Sequence, residues 1–381
     1  MKRTSLLIVI GLSILWADTA LAADVGWSTQ QMARLRIWIA AAPIDALPQI
    51  STAKLDSAIA QRDPVMINVA ADGVALALAS CHLLGCADAP ARSGWGIIDS
   101  DREIDLPTYL AAAVRDDRID QFFASLRPRH PEYLELRGAY NSAVDPARRA
   151  ILARNMERWR WLPIDLGEQH LVVNVPAFQL TYWVNGKALA SWPVIVGKTK
   201  TPTPVFSAVV TGVTFNPWWE IPQSIVAESV GRLVRRNPAE ARRRGYVWSN
   251  GRYRQKPGAK NALGLMKLVM PNHQGIYLHD TPAKALFKEN QRAFSHGCVR
   301  VGDALGFAAT LLTGKMTREA VDALIAKGEP ATVTTRSSIP LFVTYFTAGI
   351  GADGSVTTYR DIYRHDQRLS TASAGQSECA A

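Results

Sequence analysis

The stretch that most constrains this chain lies between His170 and Val196. Apolar and polar residues alternate there on both sides of an Asn-Gly pair. Leu171, Val173 and Val175, then Leu180, Tyr182 and Val184, lead into Asn185-Gly186, and Ala188, Ala190, Trp192, Val194 and Val196 follow. Period-two alternation marks half-buried strands, and Asn-Gly supplies the two positive-φ positions of a tight hairpin turn. Further strand-like runs stand at Val209–Phe215, Gly264–Met270 and Gly275–His279. A last pair, Leu341–Gly349 and Ser355–Tyr359, flanks the turn Ala352-Asp353-Gly354. Helical spacing interrupts them at Ser224–Arg236, Ala304–Leu312 and Arg318–Lys327.

The first half has another texture. From about residue 28 to 160 the periodicity is helical, as in Ser51–Ile59 and from Asp105-Leu106-Pro107 onward. Asp145-Pro146 supplies an N-cap and a first-turn proline for a helix ending near Trp161. The change comes at Leu162-Pro163. The expected fold class is α+β: a helical N-terminal scaffold followed by a mainly β domain with helical insertions.

Residues 1–22 read as a secretory leader: Lys2-Arg3, an apolar run from Leu6 to Trp16, and Ala20-Leu21-Ala22. The run is short for a bilayer span. The best later window, Val65 to Leu84, contains Asp72, so no membrane span is expected after the leader. Export to the periplasm makes nucleic acid an unlikely partner despite a formal net charge of +10. The conspicuous cations are Arg232, Arg235, Arg236, Arg242, Arg243 and Arg244. They read either as a solvated helix face or as an attractor for a carboxylate-rich polymer outside the cytoplasm. Four cysteines in 381 residues exclude a disulfide scaffold. Seven of eleven tryptophans fall between Trp159 and Trp248, which suits a groove or an aromatic core.

Chemistry concentrates in Phe294-Ser295-His296-Gly297-Cys298-Val299-Arg300-Val301. Cys298 follows a glycine that permits close approach of a substrate. A histidine stands two positions before it and an arginine two after, and His279 ends a strand-like run nineteen positions earlier. A thiol needs a nearby base or cation to become a nucleophile at neutral pH. In papain-like proteases the cysteine precedes its histidine, whereas here His279 comes first.

These residues resemble the L,D-transpeptidases with a YkuD-type catalytic domain. The family motif is a histidine, fourteen to seventeen residues, then Ser/Thr-His-Gly-Cys, an apolar residue, and Asn or Arg. Here fifteen residues separate His279 from Ser295-His296-Gly297-Cys298-Val299-Arg300. Asn155–Pro163 resembles the lead-in to that domain in the large, multidomain branch. Val173–Phe178, Val196-Gly197-Lys198, Thr203–Phe206, Phe215–Trp219, Pro257–Gly264 and Ile339–Tyr363 resemble the same branch. On this basis the helical scaffold is expected over 23–154 and the catalytic domain over 155–366. The catalytic core would span about 168–315, with a capping segment at about 216–260 and a disordered tail over 367–381. No segment resembles the small peptidoglycan-binding module of many relatives.

The resemblance implies a cysteine acyltransferase. Cys298 would be the nucleophile and His279 the general base, held by a backbone carbonyl near Asp280. Backbone N–H groups around Gly297 and Cys298 would stabilise the oxyanion, and His296 would orient substrate or serve structure. Arg300 would meet a substrate carboxylate. Ser295 is a further substrate-side candidate that also shapes the loop, and Tyr277, Trp218 and Trp219 are candidate groove walls. The implied partner is the peptidoglycan stem peptide. A tetrapeptide stem would acylate Cys298 with loss of D-alanine, and a neighbouring stem amine would form a three-to-three cross-link. Water or a lipoprotein amine as acceptor, and an inactive wall-binding module, stay open, and carbapenems are implied as inhibitors.

Cys81 and Cys86 enclose four residues. An oxidising compartment favours a disulfide between them, and no further ligands stand at zinc-site spacing. Cys379 is a tail thiol. His82, His130, His170, His273 and His365 show no partner pattern, and no metal or organic cofactor is implied.

Overall fold

The computed structural model describes residues 26–351 and 353–369. Residues 1–25, with the expected leader, Ala352 and the chain from residue 370, with Cys379, lie outside the described residues.

Seven helices open the described chain: α1 (Thr29–Ala41), α2 (Ala53–Gln61), α3 (Pro64–Leu84), α4 (Leu106–Arg115), α5 (Ile119–Ser125), α6 (Pro131–Ser142) and α7 (Pro146–Trp159). Their starts follow local chemistry. Ser28 and Gln31 form a reciprocal capping box on α1. The carboxylates of Asp63, Asp105 and Asp145 cap α3, α4 and α7, each with a proline in the first turn. Helix α3 is the axis of the scaffold. Its Ala71, Val74, Ala75, Leu78 and Ala79 pack in one cluster with Leu35, Leu55, Leu110, Phe122 and Phe123. With 21 residues, α3 is long and apolar enough to cross a membrane by length and composition. That departs from the expectation that Asp72 rules the window out. Asp72 accepts a hydrogen bond of 2.8 Å from the Trp27 indole, which satisfies the one charge in the window. Cys81 and Cys86 are bonded to each other at the C-terminal end of α3.

The second half is a mixed sheet that closes on itself. Its strands are β1 (Trp95–Gly96), β2 (Gln169–Asn174), β3 (Gln179–Val184), β4 (Lys187–Gly197) and β5 (Val205–Phe215). After the small strands β6 (Trp219–Glu220), β7 (Tyr246–Ser249) and β8 (Arg252–Gln255) come β9 (Met266–Val269), β10 (Leu278–His279), β11 (Ala293–Ser295), β12 (Val299–Val301) and β13 (Ala331–Thr344). The order β5-β13-β2-β3-β4-β12-β10-β9 returns to β5 through a β5–β9 pairing. The β3–β4 hairpin turns at Asn185-Gly186, whose φ values of 50° and 72° are those the turn requires. β14 (Ala348–Ile350) and β15 (Val356–Thr358) form the last hairpin. Helices α11 (Ala304–Leu311) and α12 (Arg318–Ala326) stand where periodicity placed them.

The core of the β domain draws in residues from well before 155, among them Ile97. Tyr133, Leu136, Leu152, Met156 and Trp159 of α6 and α7 belong to the β-domain core. Buried polar groups join the halves. Asp45 meets Arg127 at 2.8 Å and Arg137 at 2.5 Å, and fully buried Arg160 donates to the Asp45 carbonyl and to Tyr133 Oη. The Asn155–Pro163 lead-in acquires a physical reading. Asn155 exchanges hydrogen bonds of 2.8 and 3.0 Å with Thr347, and Arg158 pairs with Asp366 at 2.6 Å. Residues 366–369 form a helical turn, and Leu369 is buried with Trp161. The expected tail beginning at Gln367 therefore overlaps an ordered turn.

Candidate active site

Strands β10 and β12 lie parallel, with Leu278 opposite Val299 and His279 opposite Arg300. Successive side chains on a strand point to opposite faces. Leu278, Val299 and Val301 are completely buried in the sheet core. The other face therefore carries Tyr277, His279 and Arg300, with Cys298 at the head of β12. On the far side of β10, Lys267 of β9 pairs directly with His279. Its Nζ lies 5.0 Å from the centre of the Tyr277 ring. The hydrogen bond from Tyr277 N–H to Cys298 Sγ, 3.4 Å long, ties the thiol to the edge of β10.

His279 is buried, and its Nδ1 is hydrogen-bonded to the carbonyl oxygen of Asp280. A carbonyl only accepts, so Nδ1 carries the proton and Nε2 keeps its lone pair. Burial, and secondarily the charge of Arg300, pushes the imidazole down to about 4. It is a neutral base at neutral pH. The Asp280 side chain reaches back to the turn over 262–265. Its Oδ2 accepts from Leu265 N–H at 2.9 Å and its Oδ1 pairs with Lys284, fixing the backbone that holds His279.

Burial raises the Cys298 thiol above its ordinary value, against smaller opposing effects of the Tyr277 N–H and Arg300. Burial thus favours the neutral form of both the thiol and the imidazole, on adjacent strands. Arg300 is half-buried, and burial lowers its pKa. It has no acidic partner among the described residues, so its fork is open to a carboxylate.

The loop around Cys298 is built tightly. Gly297 has φ +113°, and a Cβ there would meet Ile276 Cδ1 at 3.2 Å. Buried Ser295 accepts from Gly297 N–H at 3.1 Å and donates to the Cys298 carbonyl at 2.5 Å. Two expectations change here. Ser295 spends its hydroxyl inside the loop and has none left for substrate. Gly297 N–H is engaged, which leaves the Cys298 N–H as the backbone donor without an acceptor among the described residues. Exposed His296 points away from the loop, and its Nε2 lies 2.9 Å from Glu228 Oε2.

Glu228 belongs to the segment at 216–260. There a continuous helix over 223–236 runs through α8 (Gln223–Ile225), a π-helical stretch (Val226–Val230) and α9 (Gly231–Arg236), followed by α10 (Pro238–Arg243). Strands β6, β8 and β7 form a small sheet beside it. Trp218 lies half-buried under the Arg254 guanidinium at 4.4 Å, so one of its faces is covered.

Sequence reasoning missed four contributors. Thr203 is buried, donates to the Gly297 carbonyl at 2.7 Å and accepts from Gly197 N–H at 2.9 Å. Tyr363 donates to the Gly197 carbonyl and accepts from Thr203 N–H. Glu228 and Lys267 are the others. Thr203 and Tyr363 stood in stretches that resemble the family, though nothing there marked their contacts, and Glu228 reaches His296 from 68 residues away. No group of three or more His, Cys, Asp or Glu residues suited to a metal occurs among the described residues.

Residues 168–322 match the model of the YkuD family, described as the L,D-transpeptidase catalytic domain, and residues 29–139 match a scaffold domain. Residues 168–322 are thus similar to a YkuD-type L,D-transpeptidase catalytic domain, and they follow a helical scaffold. A curated relative from Haemophilus influenzae, described as a putative L,D-transpeptidase, is 31% identical over 243 residues. That match covers 58% of this chain and 49% of the relative, so the chain spans about half the relative's length. Among solved structures, an L,D-transpeptidase from Mycobacterium smegmatis is similar at 15% identity and a TM-score of 0.26, over 46% of this chain and 58% of that one. The catalytic domain of an Enterococcus faecium L,D-transpeptidase acylated by ertapenem is similar at 13% identity and a TM-score of 0.26, over 47% and 99%.

Proposed function

We propose that this chain is an exported cysteine acyltransferase that forms three-to-three cross-links between peptidoglycan stem peptides. One observation carries the reading: Cys298 and Arg300 stand against Tyr277 and His279 on adjacent parallel strands, with His279 Nδ1 committed to the Asp280 carbonyl. His279 Nε2 takes the thiol proton as Cys298 Sγ attacks the carbonyl of the third stem residue. The Cys298 N–H meets the oxyanion of the tetrahedral intermediate. The amide C–N bond then breaks, His279 returns the proton to the departing amine, and D-alanine leaves. The thioester is attacked by the side-chain amine of a second stem, whose proton passes through His279 to the Cys298 sulfur as the new amide forms. Arg300, with Lys267 along the same row, holds a donor carboxylate. Tyr277 walls the groove, and Trp218 stiffens the cap beneath Arg254.

Neutral starting species suit this order. A general base with a pKa near 4 stays ready throughout the neutral range, and no charge separates until substrate arrives. The test is incubation of the purified chain with disaccharide-tetrapeptides, read by mass spectrometry. Dimers with release of D-alanine and a carbapenem adduct on Cys298 support the reading. D-alanine release without dimers transfers the acceptor role to water. No release and no adduct refutes it.

A further inference from the structure

The segment at 216–260 carries charge out of proportion to its length. It holds ten Lys and Arg against three Glu, a net +7 of the +10 on the whole chain. The acids are already engaged: Glu240 by Arg243 and Arg244, Glu220 by Arg254 and Arg252, and Glu228 by His296. Arg232, Arg235, Arg236, Arg242, Lys256 and Lys260 are exposed, with no acidic partner among the described residues. Arg232, Arg235 and Arg236 stand at helical spacing on one face of α9, where like charges weaken a helix. Folding does not explain such a cluster. Helix α10 packs against both α9 and β7, so the β7–β8 hairpin belongs to the same surface. On that hairpin Trp248 is 61% exposed, its ring edge-on to Tyr253 at 4.8 Å.

We infer that this segment is a docking surface for the wall polymer itself, gripping the free carboxylates of peptidoglycan stems that Cys298 is not processing. The inference rests on the polymer named under the proposed function and extends it from one stem to the insoluble lattice. Charge complementarity carries it. Exposed cations raise the local concentration of a polyanionic partner, and they do so without a deep pocket. The ring of Trp248 adds a flat apolar face beside them. A lipid surface fits less well. Val230 is buried and Ile225, Val226, Leu233 and Val234 are half-buried, so the helix over 223–236 offers no free apolar face for insertion.

The test uses the full chain as Cys298→Ser, sedimented with purified insoluble peptidoglycan. Retention is expected to fall about tenfold as salt rises from roughly 0.05 M to roughly 0.5 M, because exposed charges are screened over that range. It is expected to fall about as much in the triple variant Arg235→Glu/Arg236→Glu/Arg242→Glu, and by roughly a third of that in Trp248→Ala. With Cys298 restored, the triple variant should release D-alanine from soluble disaccharide-tetrapeptide within about twofold of the parent, which also reports a native fold. The inference is overturned if the triple variant pellets like its parent, or if the parent stays in the supernatant. It is overturned equally if phosphatidylglycerol vesicles retain the chain and peptidoglycan does not. Absence of turnover on soluble stems by the unsubstituted chain would count against the proposed reaction, whereas docking is decided by sedimentation.

Discussion

His296 of the catalytic loop and Glu228 of the capping segment meet at 2.9 Å, Nε2 to Oε2, across 68 residues of sequence. The contact joins the loop that bears Cys298 to the π-helical turn over Val226–Val230. It also orients the imidazole nearest in sequence to the nucleophile. Both partners are solvent-accessible, so the pair adds little to stability. Glu228→Ala is expected to leave the thermal midpoint within about 2 °C of the parent while lowering the rate of Cys298 acylation about fivefold. Calorimetry and intact-protein mass spectrometry read the two effects separately. An unchanged acylation rate would show that the contact has no part in catalysis.

The protonation states of the central pair set the pH response. His279 titrates at about 4, so acylation should hold down to about pH 5 and fall as pH drops through that value. The Cys298 thiol is raised above its ordinary value. Its alkylation by iodoacetamide should therefore still be climbing at about pH 9. A plateau reached by pH 7 would indicate a preformed thiolate–imidazolium pair instead.

Arg300 has a distinct test because its ion pair is missing a partner. Arg300→Gln should lower kcat/KM about tenfold to hundredfold on stems with a free carboxylate, the loss of one charge-assisted bidentate contact. The same variant should match the parent on the corresponding carboxamide. Equal losses on both substrates would assign Arg300 to structure.

Buried histidines should make the fold acid-labile. His82 and His130 are held at about 3, and His279 and His365 at about 4, chiefly by burial. Each folded value lies below the unfolded value of about 6.5. The unfolded chain therefore binds more protons in the interval between them. The stability contributed is complete above about pH 6.5 and is lost as pH falls toward 4 and then 3. The urea midpoint should drop steadily from pH 7 to pH 4.5. His82→Leu should flatten that slope, since His82 is fully buried between Trp38 and Phe123 with neither ring nitrogen hydrogen-bonded. A midpoint that is flat across this range would contradict the assignment.

Gly264 links the backbone to the base. It sits at φ +62°, and a Cβ there would come within 2.3 Å of Asp280 Oδ2. Gly264→Ala should displace Asp280, cost roughly 2 kcal/mol or more, and slow acylation although it touches no substrate. Full activity with an unchanged midpoint would separate Asp280 from the positioning of His279.

Local patterning made much of the β half legible. Asn185-Gly186 placed its hairpin, Asp145-Pro146 began α7 at Pro146, and the spacing around Ala304 and Arg318 located α11 and α12. The first part of β13 escaped because Arg336-Ser337-Ser338 and Pro340 disguise a strand whose register shifts between Thr334 and Ile339. The split between cores escaped because α6 and α7 read as helices like those before them, although their apolar faces bury against strands. Motif spacing singled out His279, Cys298 and Arg300, which the strand register sets on one face. It could not tell that Ser295 turns its hydroxyl inward, or that Thr203, backed by Tyr363, and Glu228 come from distant segments to the loop. Those contacts depend on tertiary placement, which carries no local signal.

The most direct measurement is peptide-level mass spectrometry of the chain quenched during turnover with a disaccharide-tetrapeptide. An acyl group equal to the donor stem less D-alanine is expected on Cys298, absent from Cys298→Ser and scarce in His279→Gln. Release of D-alanine with no adduct on Cys298, or continued turnover by Cys298→Ser, would contradict it.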